Sequence, residues 1–173
     1  QRLSGIATKT REFSDRVKDL PVKVVDTRKT TPGLRKLEKY AVKVGGGTNH
    51  RFCLSDGVMI KDNHIKAAGG IKNAVKLARK NIPHTIKIEV ETETLEQVKE
   101  ALEVKADIIM LDNMSLETMR EAVKLIDKNA VVEASGNVNM GTIYNIAETG
   151  VDIISIGELT HSVSAFDISM KIL

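Results

Sequence analysis

Charged and hydroxyl side chains follow one short apolar run near the start of the chain. In VKVVDTRKTTPG, residues 22–33, the β-branched run is followed by Asp26, Thr27, Arg28 and Lys29. The run predicts a buried strand. The guanidinium and ammonium groups after it suit carboxylates or phosphates, with which they form charge-assisted hydrogen bonds. The sequence therefore places candidate anion-binding residues at the end of a strand.

Similar polar clusters follow the later apolar runs. They are KDNH at 61–64, EVE at 89–91, LDN at 111–113, ASGN at 134–137 and SIGE at 155–158. Glu91, Asp112, Ser135 and Gly157 succeed one another at intervals of 21, 23 and 22 positions. Each cluster taken alone is also typical of an ordinary turn, since Asp, Asn, Ser and Gly all favour turns. The regular recurrence indicates one polar cluster for each strand and helix.

The elements that must position these groups alternate along the chain. Apolar runs that predict strands lie at 22–25, 58–60, 86–90, 108–111, 131–132 and 153–156. Helical patterns lie between most of them, and a first helix is predicted over residues 2–18. Thr94 with Gln97 forms a predicted capping box, Ser115 a predicted N-cap, and Gly150 a predicted helix stop. This α/β series fits a doubly wound sheet or a barrel, and both bind ligands at the carboxyl ends of their strands.

The candidate site residues divide by charge along the chain. Basic groups come first, then carboxylates that suit hydroxyl groups or Mg²⁺, then Gly-containing turns that suit a phosphate. The basic group is Arg28, Lys29, His50, Arg51 and Lys61, the acidic group is Glu89, Glu91 and Asp112, and the turns are Ser135, Gly136, Asn137 and Gly157. A substrate with acid groups, a sugar and a phosphate would use all three.

Composition excludes several other classes of function. The 173 residues carry 26 basic and 23 acidic side chains, a net charge of +3 that does not favour nucleic acid. No apolar run is long enough to cross a membrane, and the start of the chain has no signal-peptide pattern, so a cytoplasmic protein is expected. The single cysteine, Cys53, fits a reducing compartment. The histidine spacings do not favour zinc, and His64 is expected to be structural.

Six stretches of the chain, in order, resemble one enzyme family. They are RLSGIATKTREF, DTRKTTPGLRKLEKYAVKVGGGTNHRFCLSDGVMIKDNHI, IEVE, MLDNM, EASGNV and AETGVDIISIGELTHS. Together they resemble the C-terminal domain of the quinolinate phosphoribosyltransferases. The resemblance implies an incomplete TIM-like α/β barrel of parallel strands with flanking helices. Residues 1–173 would form this one barrel domain, without the family's N-terminal domain.

The resemblance also implies a reaction and a set of roles. In the family, quinolinate and phosphoribosyl pyrophosphate (PRPP) give nicotinate mononucleotide, pyrophosphate and carbon dioxide for NAD biosynthesis, with Mg²⁺. Lys29, Lys61, Glu91 and Asp112 would be catalytic, and Glu91 and Asp112 would also bind the metal. The substrates would contact these four and Thr27, Arg28, His50, Arg51, Glu89, Ser135, Gly136, Asn137, Gly157 and His161.

Family members are dimers, and their N-terminal domain covers the barrel mouth and supplies an arginine to the partner's quinolinate site. The resemblance therefore implies a homo-oligomer, and little activity for residues 1–173 alone. Two alternatives stay open. One is a molybdenum-associated paralogue that uses the same barrel on another substrate, and the other is an inactive scaffold that binds anions.

Overall fold

A single sheet of six parallel strands forms the centre of the molecule. In the computed structural model, which describes residues 1–172, the strands lie in the order β1-β6-β5-β4-β3-β2. All five pairings between neighbours are parallel. The strands are β1 (Lys23–Val25), β2 (Val58–Ile60), β3 (Ile88–Thr92), β4 (Ile108–Asp112), β5 (Val131–Ser135) and β6 (Ile153–Ser155).

Helices follow the strands and cover the outside of the sheet. Their apolar side chains form one continuous core with the outward-facing residues of the strands, including Val90, Ile109 and Ile154. The helices are α1 (Arg2–Arg16), α2 (Arg35–Val44), α3 (Asp62–Ala68), α4 (Ile71–Asn81), α5 (Leu95–Glu103), α6 (Leu116–Ile126), α7 (Ile143–Ala147) and α8 (Glu158–His161). This arrangement confirms the predicted α/β class.

The sheet curls but does not close. The edge strands β1 and β2 do not pair with each other, and the one bridge at this seam joins Val25 to Thr48 in the connection between α2 and β2. Residues at or just beyond all six strand ends nevertheless line a single cavity, so the sheet wraps around it. Six strands and an open seam make the structure the incomplete barrel that was predicted.

Local signals in the sequence account for the starts of α5 and α6, whereas α7 ends at Ala147, before the predicted stop at Gly150. The hydroxyls of Thr94 and Ser115 accept hydrogen bonds from the amides of Gln97 and Thr118, as expected for N-caps. The predicted box at Thr94 differs in one respect, because the Gln97 side chain accepts from the amide of Glu93 rather than from Thr94. The ring of His64 accepts from the Lys61 amide at the start of α3, a structural role as predicted.

The third strand lies two residues later than predicted. The sequence predicted residues 86–90, but Ile86 donates its amide to the Pro83 carbonyl in a turn. The strand begins where Ile88 pairs with Val58 of β2. Pairing with a distant strand therefore decided this boundary, which the local apolar run alone could not. No helix among residues 1–172 is long and apolar enough to cross a membrane.

Candidate active site

The carboxyl ends of the strands surround a cavity of about 710 Å³. Alternate residues of each strand point inward, because side chains in a strand alternate between its two faces. The structure brings all but one of the predicted site residues to this cavity: Thr27, Arg28, Lys29, His50, Arg51, Lys61, Glu91, Asp112, Ser135, Gly136, Asn137, Gly157 and His161. The exception, Glu89, lies deeper in the barrel, one inward position below Glu91.

Two arginines form the basic wall of the cavity. The Nε atoms of Arg28 and Arg51 are both buried and have no hydrogen-bond partner within residues 1–172. Nη1 of Arg51 donates to the Gly57 carbonyl at 2.8 Å, which fixes the guanidinium in place. Burial, and then the nearby charge of Arg28, lower the pKa of Arg51 from its ordinary value. Two adjacent cations with free donors are suited to a ligand with more than one carboxylate.

The acidic side of the cavity begins at the ends of β3 and β4. Nζ of Lys61 lies 2.6 Å from Oε2 of Glu91, so one cation already neutralises this carboxylate. Asp112 accepts a hydrogen bond from the side chain of Asn113 at 3.0 Å. Carboxylate oxygens are the ligands that Mg²⁺ prefers, and one or two of them with substrate phosphates are a common set. Glu91 and Asp112 therefore fit a magnesium ion that a phosphorylated substrate completes.

The turn after β5 exposes backbone groups to the cavity. Gly136 has φ of +91° and Asn137 of +50°, conformations that glycine and asparagine tolerate best. A Cβ at position 136 would overlap the side chain of Asn113, which also accepts a hydrogen bond from Asn137. The amides of Gly136 and Gly157 have no acceptor among residues 1–172. They are free to bind the oxygens of a phosphate.

A buried ion pair supports the loop that carries His50 and Arg51. Lys39 of α2 and Asp26 after β1 are joined at 2.5 Å, and both side chains are almost fully buried. Asp26 also accepts from the side chain of Asn49 at 2.6 Å and the amide of His50 at 2.9 Å. Burial raises the pKa of Asp26 although each of these bonds lowers it. The first acid of the DTRK stretch is therefore structural, and the residues after it face the cavity.

Three ionisable groups meet at the floor of the cavity, which His50 and Glu133 line. Nε2 of His50 lies 3.3 Å from Oε2 of Glu89 and 3.4 Å from Oε2 of Glu133. Burial lowers the pKa of His50, but the nearby carboxylates of Glu133 and Glu89 outweigh burial and raise that pKa. Burial also raises the pKa of Glu89, helped by the nearby charge of Glu133. The raised pKa values of His50 and Glu89 both favour a proton between these two groups.

The position of this proton follows from the other ring nitrogen. Nδ1 of His50 accepts the amide of Arg51 at 2.7 Å, so it carries a lone pair. With Nδ1 as an acceptor, Nε2 carries the ring hydrogen, and this hydrogen lies between the ring and Glu89. This is also the one cluster of three metal-ligand side chains among residues 1–172, but His50 already has partners on both ring nitrogens.

Sequence reasoning missed Glu133. It lies in the middle of VVEAS, where the apolar run predicted a strand of only two residues, 131–132. The signal was a carboxylate two positions before Ser135, the same spacing that joins Glu89 to Glu91. A period of two places such a pair on one face of a strand.

Comparison with known proteins agrees with this geometry. Residues 6–171 match the model of the family described as quinolinate phosphoribosyl transferase, C-terminal domain. The chain belongs to this family. It is 55% identical over 172 residues to a probable carboxylating nicotinate-nucleotide pyrophosphorylase of Bacillus subtilis. The aligned residues make up 99% of the chain and 60% of that relative. A chloroplastic carboxylating nicotinate-nucleotide pyrophosphorylase of Arabidopsis thaliana is 50% identical, covering 99% of the chain and 54% of the relative.

A solved structure of the family has the same fold. The crystal structure of NadC from Streptococcus pyogenes superimposes with a TM-score of 0.95 at 50% identity, over 99% of this chain and 60% of that one. The chain thus spans a little over half the length of these quinolinate phosphoribosyltransferase relatives.

Proposed function

We propose that this chain is the catalytic barrel of a quinolinate phosphoribosyltransferase. It would join quinolinate to PRPP and release pyrophosphate and carbon dioxide, leaving nicotinate mononucleotide. The observation that carries the proposal is the single cavity in which the basic wall, the carboxylates and the phosphate-binding turn face one another. A pyridine dicarboxylate, a ribose with its metal-bound pyrophosphate, and a 5-phosphate need these three surfaces together.

The basic wall would bind quinolinate. Arg28 and Arg51 have buried, unpartnered Nε atoms, and Lys61 adds an ammonium at the same rim. Two carboxylates on neighbouring ring carbons match two guanidinium groups better than they match separate lysines, because each guanidinium can donate two parallel hydrogen bonds.

The carboxylates and the glycine-containing turns would bind PRPP. Glu91 and Asp112 would accept hydrogen bonds from the ribose hydroxyls and would hold Mg²⁺, which neutralises charge on the pyrophosphate when bound. The turn at Ser135–Asn137, with Gly157 and His161, would receive the 5-phosphate. Lys29 projects into the cavity beside Gly157 and would stabilise the departing pyrophosphate.

The chemistry then depends mainly on position and charge. The ring nitrogen of quinolinate attacks C1 of the ribose, and the C1–oxygen bond breaks with its electron pair going to pyrophosphate. The carboxylate next to the ring nitrogen leaves as carbon dioxide, and its electron pair stays on the ring carbon until a proton from water adds there. The positive ring nitrogen stabilises this carbanion. The residues of the cavity hold the reactants in line and neutralise the charge that develops.

The relatives support this reaction over the alternatives. Curated relatives at 47–55% identity all carry names of carboxylating nicotinate-nucleotide pyrophosphorylases or quinolinate phosphoribosyltransferases. A paralogue with another substrate would not need a wall for two adjacent carboxylates. A homo-oligomer is also proposed, since α2 exposes Leu37, Tyr40 and Val44 on its surface.

Magnesium-dependent binding tests the proposal and separates it from an inert scaffold. We expect PRPP to bind more tightly with Mg²⁺, and Asp112→Asn to remove most of that gain because it removes a metal-ligating charge. Quinolinate binding should change little in this variant. Calorimetry with each ligand measures both, and Glu148→Gln on the exterior of the barrel is the control. A Mg²⁺ effect that survives in Asp112→Asn, or no quinolinate binding at all, would contradict the assignment.

A further inference from the structure

The charged groups at the bottom of the cavity are unusually well buried. Glu89 exposes 5% of its side chain and Glu133 1%, yet Oε1 of Glu89 and both carboxylate oxygens of Glu133 have no hydrogen-bond partner within residues 1–172. Burying two carboxylates costs free energy unless they are paired. The polar partner that both share is Nε2 of His50, which reaches them from the seam between β1 and β2.

His50 is bound at three points. Its amide donates to Asp26, its Nε2 faces the two glutamates, and its Nδ1 accepts the amide of Arg51. Both ring nitrogens are therefore used within the protein, and neither is free to bind a substrate. The ring connects the buried carboxylates to the backbone of Arg51, whose guanidinium is proposed to bind quinolinate.

We propose that Glu133 is a positioning residue, which with Glu89 holds the ring of His50 so that Nδ1 fixes the backbone of Arg51. The inference rests on the proposed function, because it is the quinolinate-binding role of Arg51 that gives this connection its purpose. It also changes the role of His50, from a substrate contact to the link between the glutamates and Arg51.

The neighbouring charges explain why an acid is needed at position 133. Arg28, Arg51 and Lys61 all approach this end of the barrel, and the Lys39–Asp26 pair lies behind the His50 backbone. The inner layer is otherwise lined by Met59, Met110 and Ser155, none of which offers a charged acceptor to an imidazole N–H. Without Glu133 only one acceptor, Glu89, would orient the ring.

The proposal is tested by a double-mutant cycle. Glu133→Met removes the acceptor and keeps the length of the side chain, and Glu133→Gln keeps an acceptor oxygen. His50→Asn keeps an acceptor near Nδ1 for the Arg51 amide but does not reach the glutamates. Glu121→Met, on the exposed side of α6, is the matched control. Quinolinate and PRPP affinities are measured by calorimetry, and amide exchange at Arg51 and the ring nitrogen shifts of His50 by NMR.

We expect Glu133→Met to weaken quinolinate binding about tenfold, the upper range for one lost hydrogen bond, and PRPP binding less than about twofold. Exchange at the Arg51 amide should rise. Glu133→Gln should restore most of both properties. In the His50→Asn background, Glu133→Met should cost almost nothing more, because its effect passes through His50. In the wild type, Nδ1 should be unprotonated at pH 7.

Three results would overturn the proposal: the same loss from Glu133→Met with and without His50, equal losses for both ligands, or a protonated Nδ1 in the wild type. If Glu133→Met does not fold, the ring shifts and Arg51 exchange of the wild type and Glu133→Gln still decide the question. If the wild type does not bind quinolinate, the proposed function fails, and the NMR measurements test the link to Arg51 separately.

Discussion

At the scale of single residues, Arg51 is the side chain whose proposed role would distinguish quinolinate from PRPP. Its guanidinium is held by the Gly57 carbonyl and leaves a buried Nε free for a ligand. Lysine at this position would keep the charge but lose the planar pair of donors.

We therefore expect Arg51→Lys to weaken quinolinate binding by about 1–3 kcal/mol, the range for a hydrogen bond to a charged group. PRPP binding should weaken less, because its proposed contacts are the carboxylates and the glycine-containing turns rather than Arg51. Calorimetry with both ligands measures the difference, and Arg120→Lys on the exposed face of α6 is the control. Equal losses of affinity for the two ligands would mean that Arg51 supports only the fold or the overall electrostatic field of the cavity.

The phosphate-binding turn offers a second test with a built-in control. Gly136 and Gly33 both have positive φ, but a Cβ overlaps Asn113 at position 136 and meets nothing within 4 Å at position 33. Gly33→Ala should cost about 1–2 kcal/mol of stability from φ alone. Gly136→Ala should cost more and also weaken PRPP binding. Denaturation measures stability and calorimetry measures PRPP affinity. Equal effects of the two substitutions would contradict a role of this turn in binding PRPP.

At the scale of elements, one buried carboxylate joins the first helix to the site loop. Glu38 of α2 accepts from Nε of Arg2 in α1 at 2.7 Å and from the amide of Thr31 at 3.0 Å. Arg2 also donates to the Thr31 hydroxyl and to the carbonyl of Thr160 in α8. Three helices and the loop that follows β1 are thus tied together at one point.

The pKa of Glu38 gives this junction a pH dependence. Burial raises that pKa, but the bonds from Arg2 and Thr31 outweigh burial and lower it below 4.5. A lowered folded-state pKa adds stability above the unfolded value, and this stability is lost as pH falls through the folded value. Glu38→Gln should lower the free energy of unfolding by about 1–3 kcal/mol at pH 7. Below about pH 4.5 the variant should lose less stability with falling pH than the wild type.

Urea denaturation across this pH range measures the effect. The control is Asp15→Asn, in the exposed Arg11–Asp15 pair, which should change stability by less than about 0.5 kcal/mol. An unchanged acid dependence in Glu38→Gln would show that another carboxylate controls it.

The sequence predicts such elements unevenly. Apolar runs located all six strands, because β-branched clusters bounded by polar residues have few other structures available. The predicted start of β3 was wrong by two residues, because pairing with β2, rather than the apolar run, determines where the strand begins. The length of β5 was underestimated because Glu133 breaks the apolar run, and only the barrel interior explains a carboxylate there.

At the scale of the whole molecule, the open seam between β1 and β2 is the feature that sequence patterns could not show. The connection that carries Asn49, His50 and Arg51 lies at this seam, and through it His50 reaches Glu89 and Glu133 on the far strands. A polar cluster after each strand was enough to predict the cavity. Contacts across the barrel interior depend on curvature, which local sequence does not specify.

Release of carbon dioxide from carboxyl-labelled quinolinate is the measurement that tests the proposed function most directly. Residues 1–173 alone, with PRPP and Mg²⁺, should release little. Release should increase when the part of the Bacillus subtilis relative that this chain does not match is added, because the family resemblance implies that this part would cover the mouth, exclude water and complete the site. Omitting PRPP should abolish release in both cases. Failure of the supplemented protein to release carbon dioxide, or release without PRPP, would contradict the proposed function.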